Sequence, residues 1–256
     1  MTFERWLALR EPADAEARSV ELVERLPASG PHVIHDLGCG TGAMGRWLAP
    51  LLSGTQHWVL HDRDEALLDA ASVPAAATME TRLSDITRLA PDELAGATLV
   101  TASALLDMLT GRELSRVVEA CAEAGCPTLL TLSVVGRVEL APADPLDARV
   151  MDAFNAHQRR GRLLGPDAAA AAVERFRDLG AEVLVRPSPW RLGPSHTELA
   201  AEWFSGWVGA ASEQQPELAA GADAYARRRL EQARRGQLAV TLHHTDLLAL
   251  PRSGRR

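Results

Sequence analysis

Residues 33–45 read Val-Ile-His-Asp-Leu-Gly-Cys-Gly-Thr-Gly-Ala-Met-Gly, an apolar run followed by a glycine-rich turn. A short apolar run that ends in glycines predicts a buried strand over 33–37, and the residues after the turn predict a helix over 43–52. Glycines let the backbone bend tightly and come close to a ligand. The free N–H groups at the start of a helix can meet a carboxylate or a phosphate. These residues therefore predict a ligand site between the first strand and the first helix of a sheet.

Strands and helices alternate through most of the chain. Further strands are predicted over 57–61, 78–83, 97–101, 128–135, 181–185 and 238–243, and helices over 65–71, 114–124 and 166–179. The alternation indicates βαβ units and a parallel sheet, whose ligand lies beyond the carboxyl ends of the strands.

Three helical segments fall outside this alternation. Residues 3–26 predict a helix that Pro12 breaks, followed by a turn over 27–30. The segments 142–165 and 194–236 are predicted to be helical and to cover the ligand crevice, and an arginine-rich tail ends the chain. The expected organisation is N-terminal helices over 1–29 and one domain over 30–256.

Composition narrows the classes of function. The 256 residues are 46% apolar, which suits one sizeable α/β domain, and the net charge of −7 argues against general affinity for nucleic acid or an anionic membrane. The three cysteines are too scattered for a disulfide framework or a zinc site. The charged N-terminus lacks an apolar signal core, and no apolar run reaches membrane-spanning length. We expect a cytoplasmic protein, and its basic residues, all arginine, favour a GC-rich bacterial source.

Two ligand classes use a turn of this kind. Residues 40–45 match the dinucleotide pattern G-x-G-x-x-G, which alone is a weak signal, and Asp62 after the second strand suits a ribose in either class. Asp36 separates the two classes, because a carboxylate beside a dinucleotide pyrophosphate is unfavourable. Beside the sulfonium and ammonium of S-adenosylmethionine the same carboxylate is favourable. The sequence therefore favours S-adenosylmethionine over a nicotinamide dinucleotide.

Four stretches resemble the motifs of the Rossmann-like (class I) methyltransferases, in the order and spacing of that family. They are the first-motif residues 35–42, the second-strand motif 62–68, the turn 84–86 and the fourth strand with its turn, 97–106. The resemblance covers residues 30–135 well and the rest loosely. It implies a mostly parallel seven-stranded α/β sheet with helices on both faces, and helical insertions that form a cap over the active-site crevice. It also implies S-adenosyl-L-methionine as cofactor and S-adenosyl-L-homocysteine as product.

The resemblance further implies a set of cofactor contacts, which run from the methionine end to the adenine end. At the methionine part, Arg18 or Arg10 would bind the carboxylate, Asp36 the amine, and Ser103 would lie beside them, with Gly38, Cys39, Gly40 and Gly42 as the backbone wall. At the nucleoside part, Asp62 would bind the ribose hydroxyls, and Arg63, Asp85 and Ile86 would surround the adenine. The acids also have structural interpretations: each can cap a helix or close a turn, and Asp64 is expected to cap the second helix.

The acceptor side gives weaker signals. Transfer from a sulfonium is a direct displacement, to which alignment can contribute about 7–11 kcal/mol, and a base is required only if the acceptor must lose a proton. His157 is the candidate base, and the alternative is an exposed helix residue. Trp203 and Trp207, four residues apart on one helix face, could form an apolar wall for a flat acceptor or could pack the insertion onto the sheet.

The remaining histidines are not candidates for catalysis, and the residues after the fourth strand narrow the subclass of methyltransferase. His35 and His61 are expected to be structural, and by alternation one of His243 and His244 must point inward. Residues 101–104 read Thr-Ala-Ser-Ala, which disfavours the subclass that carries an Asn/Asp-Pro-Pro-aromatic motif there. No metal cluster with sensible spacing stands out.

The sequence thus predicts methyl transfer to O, C or N of a small molecule, with nucleic-acid and membrane partners disfavoured. The alternatives are an NAD(P)-dependent oxidoreductase, a non-catalytic S-adenosylmethionine-binding protein, and an RNA or protein methyltransferase. The oxidoreductase would lack a recognisable tyrosine–lysine pair, because the chain has no lysine and one tyrosine, Tyr225.

Overall fold

A central sheet organises the chain in the computed structural model, which describes residues 1–27 and 30–251; parts of the predicted turn over 27–30 and of the C-terminal tail lie outside these ranges. The strands are β1 (His32–Leu37), β2 (Gln56–Asp62), β3 (Thr78–Leu83), β4 (Leu99–Ser103), β5 (Thr128–Ala141), β6 (Glu182–Pro187), β7 (Trp190–Leu192) and β8 (Ala239–Leu250). The helices are α1 (Phe3–Ala17), α2 (Val20–Val23), α3 (Ala43–Leu48), α4 (Glu65–Ala70), α5 (Gly111–Glu123), α6 (Asp147–Gln158), α7 (Ala168–Asp178), α8 (Thr197–Gln214) and α9 (Ala219–Arg234).

The strand order is β3-β2-β1-β4-β5-β8-β6, and β7 pairs with β8 outside this path. Strands β1 to β5 are parallel, whereas β8 runs antiparallel to both β5 and β6. The predicted mostly parallel, seven-stranded α/β sheet is confirmed, and the three-residue strand β7 adds an eighth member. The first strand lies between β2 and β4, so the strand order reverses beside it, which is where ligands bind in open α/β sheets.

Two apolar clusters fix helices to the two faces of the sheet. One face packs against α5 and α7 through buried residues such as Val100, Leu130 and Phe176. The opposite face packs against α2, α3 and α4 through a cluster that contains Ile34 and Trp58. This arrangement holds the carboxyl ends of the parallel strands at one edge of a rigid core.

A third cluster forms a separate helical lobe, which we call the cap: α6, α8 and α9 with β7 and the first part of β8. Its centre is aromatic, with Trp190, Trp203, Phe204, Trp207 and Tyr225 all buried. Strands β5 and β8 are longer than predicted and pair with each other as far as Ala141 and Ala239, which carries the cap beyond the rest of the sheet. The two predicted helical insertions are therefore present and pack together.

The N-terminal helix corrects one sequence prediction. Helix α1 continues through Pro12, and the chain breaks at Arg18 and Ser19 instead. Pro12 is solvent-exposed, so the carbonyl that loses its helical N–H partner faces water rather than the core. Helix α1 packs against the cap and covers the strand ends.

None of the helices in the described part of the chain has the length and apolar character needed to cross a membrane.

Candidate active site

A cavity of about 510 Å³ lies at the carboxyl ends of β1, β2, β3 and β4. Its floor is formed by the glycine turn and the strand ends, and one face of α1 covers it, with Phe3, Leu7, Arg10, Asp14 and Arg18. Besides Arg10, ten of the predicted cofactor residues line it: Arg18, Asp36, Gly38, Cys39, Gly40, Asp62, Arg63, Asp85, Ile86 and Ser103. Gly42 lies in the adjoining turn. The cavity volume is typical of small-molecule sites.

The glycine turn needs its glycines for conformation and for space. Gly38, Gly40 and Gly42 all have positive φ, at 66°, 54° and 88°. A Cβ on Gly42 would lie 2.7 Å from the carbonyl oxygen of Ser72, which is too close for any side chain. The turn is therefore held in one shape, with its backbone against the cavity.

Asp36 is the second-last residue of β1 and is completely buried beneath the cavity. Thr101 Oγ1 donates to Asp36 Oδ1 at 2.7 Å, but Asp36 Oδ2 has no protein partner. Burial raises the pKa of Asp36 to about 7, although the Thr101 hydrogen bond and the Arg18 charge act in the opposite direction. An unpartnered buried carboxylate oxygen is costly unless a ligand, such as a cation, completes it.

Arg18, at the end of α1, reaches the same end of the cavity and is almost fully buried. Its Nη2 donates to Ser103 Oγ at 3.1 Å, and its guanidinium lies 5.4 Å from the ring of Trp47. Its Nε and Nη1 are buried without partners. An incompletely paired arginine beside an incompletely paired aspartate fits a ligand with both a carboxylate and an ammonium, as the methionine part of S-adenosylmethionine has.

Asp62 lines the cavity and also supports the glycine turn. Gly40 N–H donates to Asp62 Oδ2 at 2.8 Å, and Asp64 N–H donates to Asp62 Oδ1 at 3.0 Å. Each oxygen keeps a second lone pair that a ribose hydroxyl can use. Asp64 caps α4 by accepting from Ala66 N–H at 3.0 Å, which confirms the capping role predicted for it.

Asp85 and Ile86 follow β3 at the other end of the cavity. Asp85 Oδ1 accepts hydrogen bonds from the backbone N–H and hydroxyl of Thr87, which hold the pKa of Asp85 below its usual range. Both roles considered for Asp85 are thus compatible with its position, because it closes a turn and also lines the cavity.

His35 and His61 form a buried pair beside this end of the site. Their Nδ1 and Nε2 atoms are 3.0 Å apart, and His61 Nδ1 lies 3.1 Å from Ser84 Oγ, which lines the cavity. Burial lowers the pKa of both rings to about 4, so both are neutral near pH 7. Of the C-terminal pair, His244 is the buried one and packs against Trp190, as alternation requires.

The α1 side of the cavity contains a polar network that the sequence does not reveal. Asp14 accepts from Arg10 at 2.9 and 3.2 Å and from the indole N–H of Trp190 at 3.0 Å. Arg10 is thereby fixed against the Trp190 ring, at 5.1 Å from its centroid. The i, i+4 spacing of Arg10 and Asp14 was the one available signal, whereas Trp190 is 176 residues away in sequence.

The structure does not bring the three predicted acceptor residues to this cavity. Among the described residues, its lining lacks His157, Trp203 and Trp207. Trp203 and Trp207 stack at 5.3 Å within the cap core, and the Nε2 atom of His157 lies 3.2 Å from Glu213. Cys39 is a buried wall residue whose thiol pKa burial raises far above its ordinary value. Groups of three or more possible metal-ligating side chains are absent from the described residues.

Comparison with known proteins gives the class of the chain. Residues 34–127 match a family model described as a methyltransferase domain. The cyclopropane synthase MmaA2 from Mycobacterium tuberculosis has the same fold, with a TM-score of 0.52, 12% identity, and coverage of 97% of this chain and 94% of that one. The [4+2]-cyclase SpnF also shares it, with a TM-score of 0.50, 14% identity, and 98% and 95% coverage. A search of curated proteins finds no match.

The fold and the matched domain define a class I, Rossmann-like methyltransferase architecture. Residues 34–127 therefore match a methyltransferase domain, and nearly the whole chain shares its fold with the two solved structures.

Proposed function

We propose that this protein transfers a methyl group from S-adenosyl-L-methionine to O, C or N of a small molecule by direct displacement. The observation that carries the proposal is the pair of incompletely satisfied buried charges, Asp36 and Arg18, at one end of a cavity built on the glycine turn. Asp36 would bind the ammonium and Arg18 the carboxylate of the methionine part. Gly38, Cys39, Gly40 and Gly42 would form the backbone wall along it.

The rest of the cavity fits the nucleoside part of the cofactor. Asp62 would accept from the ribose hydroxyls through the lone pairs that Gly40 and Asp64 leave free. Asp85 would accept from the adenine amino group, Ile86 N–H would donate to the ring, and Arg63 would flank it.

The acceptor would enter beside α1 and the loop after β4. Phe3, Leu7, Leu105, Met108 and Leu109 give this side an apolar wall. The lining residues that the structure describes include no histidine or tyrosine, so catalysis rests mainly on proximity, orientation and exclusion of water. The charge of −7 and the arginine-only composition support a small-molecule enzyme of a bacterial cytoplasm.

The acceptor roles of His157, Trp203 and Trp207 stay predictions. These residues lie outside the cavity lining, so an acceptor would have to extend beyond the cavity to reach them. A base at His157 and an apolar wall at the two tryptophans therefore require a larger acceptor than the cavity alone would hold.

Binding calorimetry separates the methyltransferase from the oxidoreductase. We expect micromolar or tighter binding of S-adenosylmethionine and S-adenosylhomocysteine and negligible binding of NAD and NADP. Tighter binding of a nicotinamide dinucleotide would refute the proposal.

Binding alone does not establish transfer, since a [4+2]-cyclase has this fold. The second test supplies S-adenosylmethionine with a labelled methyl group and a panel of carboxylic acids, phenols, amines and isoprenoids. We expect the label to appear in at least one small acceptor. A protein that binds the cofactor tightly, yet transfers label to no acceptor, would instead be the non-catalytic binding protein.

A further inference from the structure

Asp246 is a completely buried carboxylate in β8, outside the cavity lining. Its Oδ2 accepts from Ser19 N–H at 2.8 Å, and its Oδ1 accepts from Leu132 N–H at 2.8 Å and from the Ser188 hydroxyl. Leu132 has a φ of +56°, unusual for a side-chain-bearing residue, in the irregular part of β5. One carboxylate therefore connects three separate chain segments, of which one is the junction between α1 and α2.

That junction places Arg18. Helix α1 ends at Ala17, and the ψ of 139° at its C-cap residue Arg18 turns the chain. The next backbone N–H, of Ser19, donates to Asp246. The Arg18 side chain then points to Ser103, with two nitrogen atoms left unpartnered. The charges of Asp14, Asp246 and Asp36 also offset the burial of the guanidinium.

We infer that Asp246 is a positioning residue for cofactor binding, which aims Arg18 at the methionine carboxylate by anchoring the Ser19 backbone. This inference rests on the proposed function, because it assumes that Arg18 binds that carboxylate. Asp246 lies outside the cavity lining, so it would act on the cofactor through Arg18, by its hydrogen bond to the Ser19 N–H and by its charge beside the guanidinium.

A purely structural role makes a different prediction. If Asp246 only holds β8, β5 and the α1–α2 junction together, its loss destabilises the whole site, and every adenosyl ligand loses affinity equally. If it acts through Arg18, only ligands with the carboxylate lose affinity. The ratio of two affinities therefore distinguishes the roles, whatever happens to overall stability.

The test measures the dissociation constants of S-adenosylhomocysteine and of its decarboxylated analogue, which lacks only the carboxylate. For the wild type we expect the first to bind more tightly by roughly ten- to a hundredfold, as for hydrogen bonds to a charged group. Asp246→Asn replaces one carboxylate oxygen with an NH2 group, which would face the backbone N–H of Ser19 or Leu132 and could not accept from it. We expect it to lower affinity for S-adenosylhomocysteine by about tenfold and to change that for the analogue by less than about twofold.

Ser19 offers a matched pair of variants in case Asp246→Asn fails to fold. Ser19→Pro removes the N–H that donates to Asp246, and the proline ring would push against Asp246 Oδ2. The backbone can accept a proline there, because Ser19 has a φ of −76° and the preceding residue, Arg18, has a ψ of 139°. Ser19→Ala keeps the N–H, and the Ser19 side chain makes no cap hydrogen bond. We expect Ser19→Pro to reproduce the loss of discrimination and Ser19→Ala to bind both ligands as the wild type does.

Arg18→Gln separates failure of the inference from failure of the proposed function. If Arg18→Gln abolishes the discrimination but Asp246→Asn and Ser19→Pro preserve it, or weaken both ligands equally, Asp246 is not a positioning residue. If Arg18→Gln also leaves the discrimination intact, the carboxylate assignment of Arg18 is itself wrong, and the inference falls with it.

Discussion

Two aspartate–arginine combinations, one in the cap and one at the strand ends, differ in how their charges are paired. In the cap, Arg229 Nη2 donates to both oxygens of Asp147 at 2.6 Å, and Tyr225 adds a third bond at 2.6 Å. At the strand ends, Asp36 and Arg18 make one side-chain hydrogen bond each to a neutral hydroxyl, and both keep buried atoms without partners. In the cap the two charges bind each other directly, and Arg229 Nε is the atom of that pair left without a partner. The side-chain hydrogen bonds of Asp36 and Arg18 go to hydroxyls instead, which leaves both charges able to bind the opposite charges of a ligand.

The difference indicates that the cap mainly provides stability and the strand ends provide binding. A large side chain in the cap core should therefore affect unfolding and not cofactor affinity, and a strand-end carboxylate should do the reverse.

The largest expected effect is in the cap. Trp207→Ala removes a side chain that is 2% exposed and stacked on Trp203, so we expect the free energy of unfolding to fall by about 3–5 kcal/mol. Affinity of the folded protein for S-adenosylhomocysteine should stay within about twofold. Chemical denaturation and calorimetry measure the two quantities. Trp207→Phe is the control, because the indole N–H has no partner to lose. Turnover that falls while stability holds would instead support an acceptor wall at Trp207.

The next effect is at Asp36. Burial raises its pKa to about 7, and the ammonium of a bound ligand favours the ionised form. Below that pKa, binding must release a proton, so the affinity for S-adenosylhomocysteine should rise with pH between about pH 5.5 and 8 and then level off. Asp36→Asn should weaken binding by roughly ten- to a hundredfold at pH 8 and abolish the pH dependence. A variant that kept the wild-type pH profile would exclude Asp36 as its source.

Asp62 combines the two roles that the cap and the strand ends divide, because it supports the glycine turn and is also proposed to bind the ribose. Asp62→Ala removes the proposed ribose contact, worth roughly 1.5–3 kcal/mol, and also leaves Gly40 N–H without its acceptor. We expect affinity to fall ten- to a hundredfold, with a smaller loss of unfolding free energy. Asp62→Asn, which keeps one acceptor oxygen, should lose less of both. Unchanged affinity in Asp62→Ala would show that the ribose does not bind there.

The part of the fold that the sequence predicted well is the part that depends on local signals. The buried strand before Gly38, the helix cap at Asp64 and the alternation through β1 to β5 all follow from neighbouring residues. The cofactor candidates came together for the same reason, since strand ends in a parallel sheet meet at one edge.

The features that were missed depend on contacts between distant segments. Strand β7 has only three residues, and its Trp190 is fixed by Asp14 of α1. The break after α1 arises where Asp246, 227 residues later, accepts the Ser19 N–H, and no local pattern marks it. The cover of the cavity was expected from the insertions, but α1 provides it, because Leu7 and Arg10 lie on the same helix face as Arg18.

The smallest expected effect concerns His157, the predicted base. Arg160 Nη1 lies 2.8 Å from His157 Nδ1, and an arginine can only donate, so Nδ1 accepts and Nε2–H faces Glu213. Both ring nitrogens of His157 thus already have protein partners, which indicates a structural role. We therefore expect His157→Gln to change the free energy of unfolding by less than about 1 kcal/mol and turnover per folded molecule by less than about twofold. Glu213→Gln, which alters the same contact from the other side, is its control. A pH–rate profile that lost its base-dependent limb in His157→Gln, but not in Glu213→Gln, would restore His157 as the base and place the acceptor between the cap and the strand ends.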